Sequence, residues 1–327
     1  MYVMNYDIRI GEYKLKTLDS VKIEKSVENL SDKATIVIPG TYINRTLEVE
    51  DKIKEGDRVL IRFGYDNNLA TEFQGYLNSV STDNSTIKIE CEDATFLFKK
   101  PLSDKEHKEI SLKDLLGKVI DEINTLNTLS GTATDYKLSC DFSFSYSKFT
   151  IFKANGMDVL KKVQEDTKSN IYFEGDTLHV HAQYSYIPNS EPVIFDFSHN
   201  IEKSDLKYVK LKDKKIEIEV HYTDASGKTK TEKYGQSGGE KRTRYVNTDD
   251  TTSLKKAAEN EYNLWSYDGY EGSLTGWLIP YVEPSYQIML RDSEQLQKQG
   301  IYYVLGTETS FSSSGGERKI KIGRRLG

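Results

Sequence analysis

Residues 272–278 (GSLTGWL), 286–290 (YQIML), 301–305 (IYYVL) and 307–322 (TETSFSSSGGERKIKI) decide how this chain is read. Each apolar stretch has the length of a strand, and each break carries Gly, Pro or charge, the residues that punctuate sheets. Within 307–322, Gly315 and Gly316 are expected to supply the positive φ of a hairpin turn between 307–311 and 318–322. A looser series of the same kind runs through residues 57–98. The expectation is one chain that builds two related β units.

The N-terminal series alternates. Val59, Ile61 and Phe63 are interleaved with Leu60 and Arg62, and Ile87, Ile89 and Cys91 with Lys88, Glu90 and Glu92. Period two with charge on the off beat marks a sheet with one wet face. Residues 34–38 stop at Pro39-Gly40, and residues 64–68 supply a turn, since Gly and Asn tolerate positive φ. After Pro101 the period changes. Ser111 can cap a helix that carries Leu112, Leu115, Leu116, Val119, Ile120, Ile123 and Leu126 at spacings of three and four. Residues 138–144 and 149–152 read as strands. A second helix opens near Asn155 with Val159, Leu160 and Val163 on one face, and 170–173 and 177–182 form a hairpin across Glu174-Gly175-Asp176.

From Pro192 the chain is β again, with Ile216, Ile218 and Val220 alternating with Glu217, Glu219 and His221. Residues 227–243 are polar and Gly-rich at 235–239, which suggests a long exposed hairpin or mobile loop. Residues 251–265 form a third helix, with Leu254, Ala257, Ala258, Tyr262 and Trp265 on one side and Glu261 the one charged member there. The fold class expected is mainly β with an α+β insert. Residues 1–100 form a first β unit, 101–190 a small α+β domain, and 191–327 a second β unit with helix 251–265 and an exposed hairpin.

Composition narrows the function classes. A chain of 327 residues can bury a core without staples, and Cys91 and Cys140 are too few for a disulfide framework or a four-cysteine metal site. Cys91 reads as a small core hydrophobe. No basic patch and apolar core open the chain as a secretory signal does, and no apolar run approaches the ~18 residues of a membrane span. With 51 acidic and 45 basic residues interspersed, the net charge is −6, which disfavours a general nucleic-acid binder. The 22 Tyr against 12 Phe suit strands and half-buried interfaces.

Local motifs for chemistry are weak. His179 and His181 lie two apart on a strand and share a face, as two zinc ligands could, but no third ligand follows at useful spacing, although His199 and His221 could approach in space. Glu90, Glu92 and Asp93 are typical of the acids that could be paired as a glycosidase dyad, and equally of a solvated strand face. The stretch 235–239 (GQSGG) neither follows an apolar strand nor opens a helix, so it reads as a turn rather than a phosphate loop. Arg324-Arg325 is a solvated end or a docking handle. No cofactor, metal or catalytic residue is assigned.

Several strings together resemble the baseplate hub proteins of contractile phage tails, of the late control protein D type. That fold also forms the N-terminal part of the valine-glycine-repeat spike proteins of type VI secretion. Residues 27–40 resemble the family's opening strand ending in Pro; 56–61 (GDRVLI) its Gly-x-x-Val strand; 73–77 (FQGYL) and 87–94 the two strands that follow. Helix 251–265, 276–278 (GWL) and 302–316 resemble its closing barrel. The resemblance implies two tail-tube-like β-barrels per chain, three chains forming a pseudo-sixfold ring, a sixfold side that continues into the tail tube and a threefold side that receives a trimeric spike. It implies a structural, non-enzymatic part of a virion tail or injection particle, assembled in the bacterial cytoplasm, whose lumen passes DNA without binding it specifically. The chain ends at the barrel, so the spike is expected to be a separate protein. Candidate assembly contacts are Tyr286, Ile288, Leu290, Tyr302 and Val304, whose other reading is plain barrel core. The competing function is a tail-associated peptidoglycan hydrolase or carbohydrate-binding β protein, with Trp265, Trp277, Tyr267 and Tyr270 offering sugar stacking.

Overall fold

The computed structural model describes residues 3–39, 52–82, 85–141, 144–224, 228–246 and 251–327. The N-terminal part contributes β1 (Met4–Ile10), β2 (Tyr13–Lys14), β3 (Ser20–Ser26), β4 (Lys33–Pro39), β5 (Arg58–Tyr65), β6 (Asn68–Thr82) and β7 (Thr86–Glu92). The alternation in the sequence becomes burial. Val59, Ile61 and Phe63 on β5, and Ile87, Ile89 and Cys91 on β7, face a core that also holds Ile8, Ile23 and Ile36. Burial pushes the Cys91 thiol up to about 12, so it behaves as an inert hydrophobe. The β5–β6 turn is a two-residue loop in which Asp66 and Asn67 take left-handed φ of 52° and 64°. Gly64, expected in that turn, instead sits in β5, where a Cβ would lie 2.1 Å from the Asn68 carbonyl oxygen. Gly40 of the expected Pro39-Gly40 stop lies outside the described residues.

The middle of the chain is α+β. It contains β8 (Lys105–Ser111), α1 (Leu112–Leu129), β9 (Lys137–Cys140), β10 (Ser145–Ile151), α2 (Gly156–Thr167), β11 (Asn170–Glu174) and β12 (Thr177–His181). Ser111 caps α1 by accepting the Asp114 amide, and Asn155 and Asp158 form a reciprocal capping box on α2. The apolar faces of both helices, with Phe98, Phe149 and Phe173, form one core. Strand β8 was not anticipated. Its sequence KEHKEIS buries only Ile110, and its backbone is held by pairing with β10. Residues 142–143 of the expected strand 138–144 lie outside the described residues.

The last part contains β13 (Val193–Asp196), β14 (Ile201–Ser204), β15 (Lys207–Val209), β16 (Ile216–Thr223), β17 (Thr229–Gly235), β18 (Glu240–Tyr245), α3 (Thr251–Trp265), β19 (Gly269–Trp277), β20 (Gln287–Arg291), β21 (Gly300–Ser312) and β22 (Gly315–Arg325). Leu254, Ala258 and Trp265 of α3 pack on Ile216, Ile218 and Val220 of β16 in a third core. Glu261 is neutralised by Arg244, at 2.7 Å, and accepts the Trp265 indole N–H at 3.0 Å. The polar stretch after β16 is not a hairpin of its own. Strands β17 and β18 lie on opposite sides of β16, antiparallel and parallel to it, so their connection crosses the end of β16. Glycine is needed at that crossing. A Cβ on Gly235 would lie 2.3 Å from the Ile216 oxygen, and one on Gly239 would lie 2.6 Å from the Lys215 oxygen.

The two β parts share one sheet. Its strand order is β14-β19-β22-β21-β3-β4-β7-β6-β5-β1-β2, with β13, β15 and β20 attached at the C-terminal end. Among the described residues this path is open at both ends, and no closed barrel forms. The join is made by β21. At 13 residues, and roughly 3.3 Å per residue, it has the reach for two partners along one edge. Gly300–Tyr303 pair with β20, and Gly306–Ser312 pair with β3. Irregular register around Val304 and Gly306 marks the change of partner.

Candidate functional site

The five candidate contact residues fall on β20, β21 and the segment before β20. Ile288, Leu290, Tyr302 and Val304 are fully buried in a fourth core with Phe195, Leu274 and Ile320, leaving no side-chain surface exposed. The Tyr302 hydroxyl accepts the Tyr270 amide at 2.9 Å. Tyr286 is half-buried and lines a cavity at the seam between the two β parts.

That seam concentrates the buried charge of the molecule. Arg318, on β22, is 1% exposed and meets Glu72 of β6 at 2.6 Å. Its other nitrogens donate to the Leu278 carbonyl, at 2.9 Å, and to Thr309 Oγ1, at 3.3 Å, and its guanidinium lies 4.7 Å from the Tyr281 ring centre. Burial raises the Glu72 carboxyl above its ordinary range, against the pull of Arg318. Lys25 of β3 grips both oxygens of Glu283, at 2.8 and 2.9 Å. Burial alone would lower the Lys25 ammonium, but the carboxylates around it, Glu283 first, raise it. Tyr281 donates to Glu283 and, at 3.0 Å, to the Thr71 carbonyl, in the same group.

Beside these pairs lies a cavity of about 240 Å³. Lys25, Asp32, Asp93, Glu174 and Glu283 supply its charges, and Phe73, Tyr172, Phe173, Tyr281 and Tyr286 its aromatic walls. Asp93 caps the short turn Ala94–Lys99 by accepting the Thr95 amide, and its other oxygen takes the Asp32 amide at 3.0 Å. Burial pushes Asp93 up to about 6, and burial together with the Asp93 charge pushes Asp32 up as well. Of the acids singled out in the sequence, Glu90 is held by Lys88, at 2.6 Å, and Glu92 by Lys99, at 2.5 Å. Asp93 alone has a carboxyl neighbour, Asp32, which sequence reading did not reveal. The two stand 61 positions apart, and the only local sign is the Asp-x-Thr cap.

His179 and His181 do share a face of β12. Their facing nitrogens, Nδ1 and Nε2, are 3.2 Å apart, and Asp141 sits 2.7 Å from the outer nitrogen of His181. Glu174 lies 3.6 Å from the outer nitrogen of His179. Tyr172 and Tyr186 stack on the two rings. Burial, then the neighbouring imidazole, lowers His179 to about 4, so it is neutral at pH 7. His199 pairs with Asp196 and His221 with Thr231, so neither joins them. Among the described residues no group of three or more His, Cys, Asp or Glu side chains is placed to hold a metal.

The four aromatics proposed for sugar stacking do not form one exposed row. Trp265 and Tyr270 are buried, Tyr267 lies under Lys214, and Trp277 is 50% exposed. The arginine pair is built into the chain rather than left as a solvated end. Arg325 donates to the carbonyls of Asp268, Gln299 and Gly327, and Arg324 lies over Tyr184.

No protein-family model matches the sequence, and no curated protein matches it. Solved structures do. A tail protein from Neisseria meningitidis MC58 superposes with a TM-score of 0.64 at 14% identity, covering 100% of this chain and 98% of that one. The 43 kDa tail protein of prophage MuSo2 from Shewanella oneidensis gives 0.61 at 15% identity, covering 98% of both chains. A chain of the Francisella PdpA–VgrG complex gives 0.57 at 12% identity, covering 99% of this chain and 58% of that chain. Over essentially its whole length the chain has the fold of phage tail proteins and of part of a chain of the PdpA–VgrG complex, the group that its sequence resembles.

Proposed function

We propose that the chain is the structural baseplate hub of a phage tail or of a phage-tail-like injection particle. Three copies would join a sixfold tail tube to a threefold spike. The observation that carries this reading is the end-to-end fold likeness to tail proteins of similar length. On this reading residues 1–100 and 191–327 supply two tube-like units around an α+β domain at 101–190. The open ends of the common sheet would pair with neighbouring copies, closing barrels that one chain leaves open. The lumen would let DNA pass without specific contact. The particle would assemble in the bacterial cytoplasm. The chain would have no enzymatic role, in keeping with carboxylates that cap turns and pair with bases along the seam.

Light scattering on the size-separated chain, alone and with its spike protein, tests this. A mass of three chains is the expected result. A single-chain mass at all concentrations and with spike present would overturn it. Clearing of peptidoglycan by the purified chain, abolished by replacing one acid, would favour the hydrolase.

A further inference from the structure

Where the α+β part meets the last β part, another cavity, of about 190 Å³, opens between the end of α2, the turn at 182–185, β18, α3 and β22. Junctions between structural units are common places for ligand sites. Three basic residues line this one, Lys168, Arg244 and Arg324, against a single carboxylate, Glu261. Tyr184 and Tyr245 add aromatic surface.

The charges do not cancel. Glu261 has both oxygens engaged within the protein, one with Arg244 at 2.7 Å and the other with the Trp265 indole at 3.0 Å. Arg324 is left over. It is half-buried and lies over Tyr184, 5.1 Å from the ring centre. Among the described residues its guanidinium makes no hydrogen bond and no ion pair. Its Nε is sealed in the protein, but Nη1 and Nη2 keep accessible surface. The adjacent Arg325 differs, since it donates to three backbone carbonyls. Burial lowers the Arg324 guanidinium from its ordinary value, against the pull of Glu261. A cation desolvated in this way without a hydrogen-bonded counter-charge costs free energy that an incoming anion offsets. Lys168, exposed at the C-terminal end of α2, adds positive charge to the same wall.

We propose that this cavity binds a carboxylate group. Arg324 presents its terminal nitrogens as a planar fork for two oxygens, Lys168 strengthens the field, and the Tyr184 and Tyr245 rings cover the alkyl chain behind the carboxylate. A monoanion is preferred to phosphate because Glu261 shares the lining and repels a dianion more strongly. The same group is carried by a free aliphatic acid and by an aspartate or glutamate of a neighbouring chain.

Calorimetric titration of the full chain with n-butyrate, against the neutral n-butyramide and inorganic phosphate at equal ionic strength, tests the site. n-Butyrate is expected to bind at least tenfold more tightly than n-butyramide, and more tightly than phosphate. Arg324→Gln removes no hydrogen bond from the folded chain and is expected to weaken n-butyrate at least tenfold. Arg324→Lys, which keeps the charge and loses the fork, should weaken it about threefold. Lys54→Gln, in the N-terminal part, should leave it unchanged. Equal affinity for n-butyrate and n-butyramide overturns the proposal, as does tighter binding of phosphate, or n-butyrate binding that both Arg324 variants leave intact. The source is read from the sedimenting mass at saturating n-butyrate. A fall in mass that n-butyramide does not cause assigns the site to a neighbouring chain's side chain, and an unchanged mass assigns it to a free acid.

Discussion

Arg318 and Glu72 form an ion pair at 2.6 Å, with side chains 1% and 4% exposed, across 246 positions of sequence. The pair pins β22 to β6, at a point where the third bond of Arg318 also fixes the Leu278 carbonyl. Removing one partner of a buried pair strands the other charge, which costs about 3–5 kcal/mol. Arg318→Met and Glu72→Gln are each expected to lower stability by that order in urea unfolding. The double variant should be much less damaged than the sum of the two, and a purely additive cycle would show that the residues do not act as a pair.

The crossing over β16 makes a second prediction, one of sign. Gly235 has φ of 102°, and an added Cβ would meet the Ile216 oxygen at 2.3 Å. Gly235→Ala is expected to cost roughly 2 kcal/mol through strain and displacement of the backbone. Gly117, inside α1, has open space where its Cβ would be. Gly117→Ala should therefore stabilise by about 0.5–1 kcal/mol. Thermal unfolding of the two variants side by side checks both directions.

These elements show which parts of the fold a sequence can disclose. Helix α3 was legible to its end residues because Leu254, Ala258 and Trp265 repeat at helical spacing and Glu261 has a local partner in Trp265. The face shared by His179 and His181 was legible from strand period alone. The seam was not. Arg318 stands in RKIKI, where period two puts it on the apolar face with Ile320 and Ile322, but the partners that make its burial possible, Glu72 and Leu278, come from elsewhere in the chain. The sequence of β21 discloses an apolar strand, but not that its two halves serve β20 and β3. Ile288 and Val304 were equally legible as core and as contact, because an apolar side chain does not carry the identity of what covers it.

Asp93 provides a pH test. Its folded value of about 6 lies above the ordinary aspartate value of 3.8, so the folded state holds the proton more tightly than the unfolded chain. The stabilisation from this group is complete below about pH 4 and is lost as pH rises through about 6. His179 works in the opposite sense. Its folded value of about 4 lies below 6.5, so its contribution is lost as pH falls between those values. Asp93→Asn removes the first effect, together with the repulsion by which Asp93 helps to push Asp32 up. Measured by melting temperature from pH 4 to pH 7, the variant should gain on the parent chain as pH rises. A constant difference would show that Asp93 does not hold its proton in the folded state.

Trp277 offers a test of assembly separate from folding. It ends β19 opposite Glu317, 50% exposed, and Ile279 nearby is 47% exposed. A lone surface apolar residue is ordinary, but half-exposed tryptophans are frequent anchors of interfaces, where truncation costs 2 kcal/mol or more, on the order of thirtyfold in affinity. On the hub reading, Trp277→Ser should leave the melting temperature nearly unchanged, since surface substitutions away from special features fall within about 0.5 kcal/mol. It should also weaken self-association or spike capture at least tenfold. Sedimentation across a concentration series separates these outcomes. Full association with Trp277 replaced would remove the end of β19 from the interface and direct attention to the open sheet edges at β14 and β2.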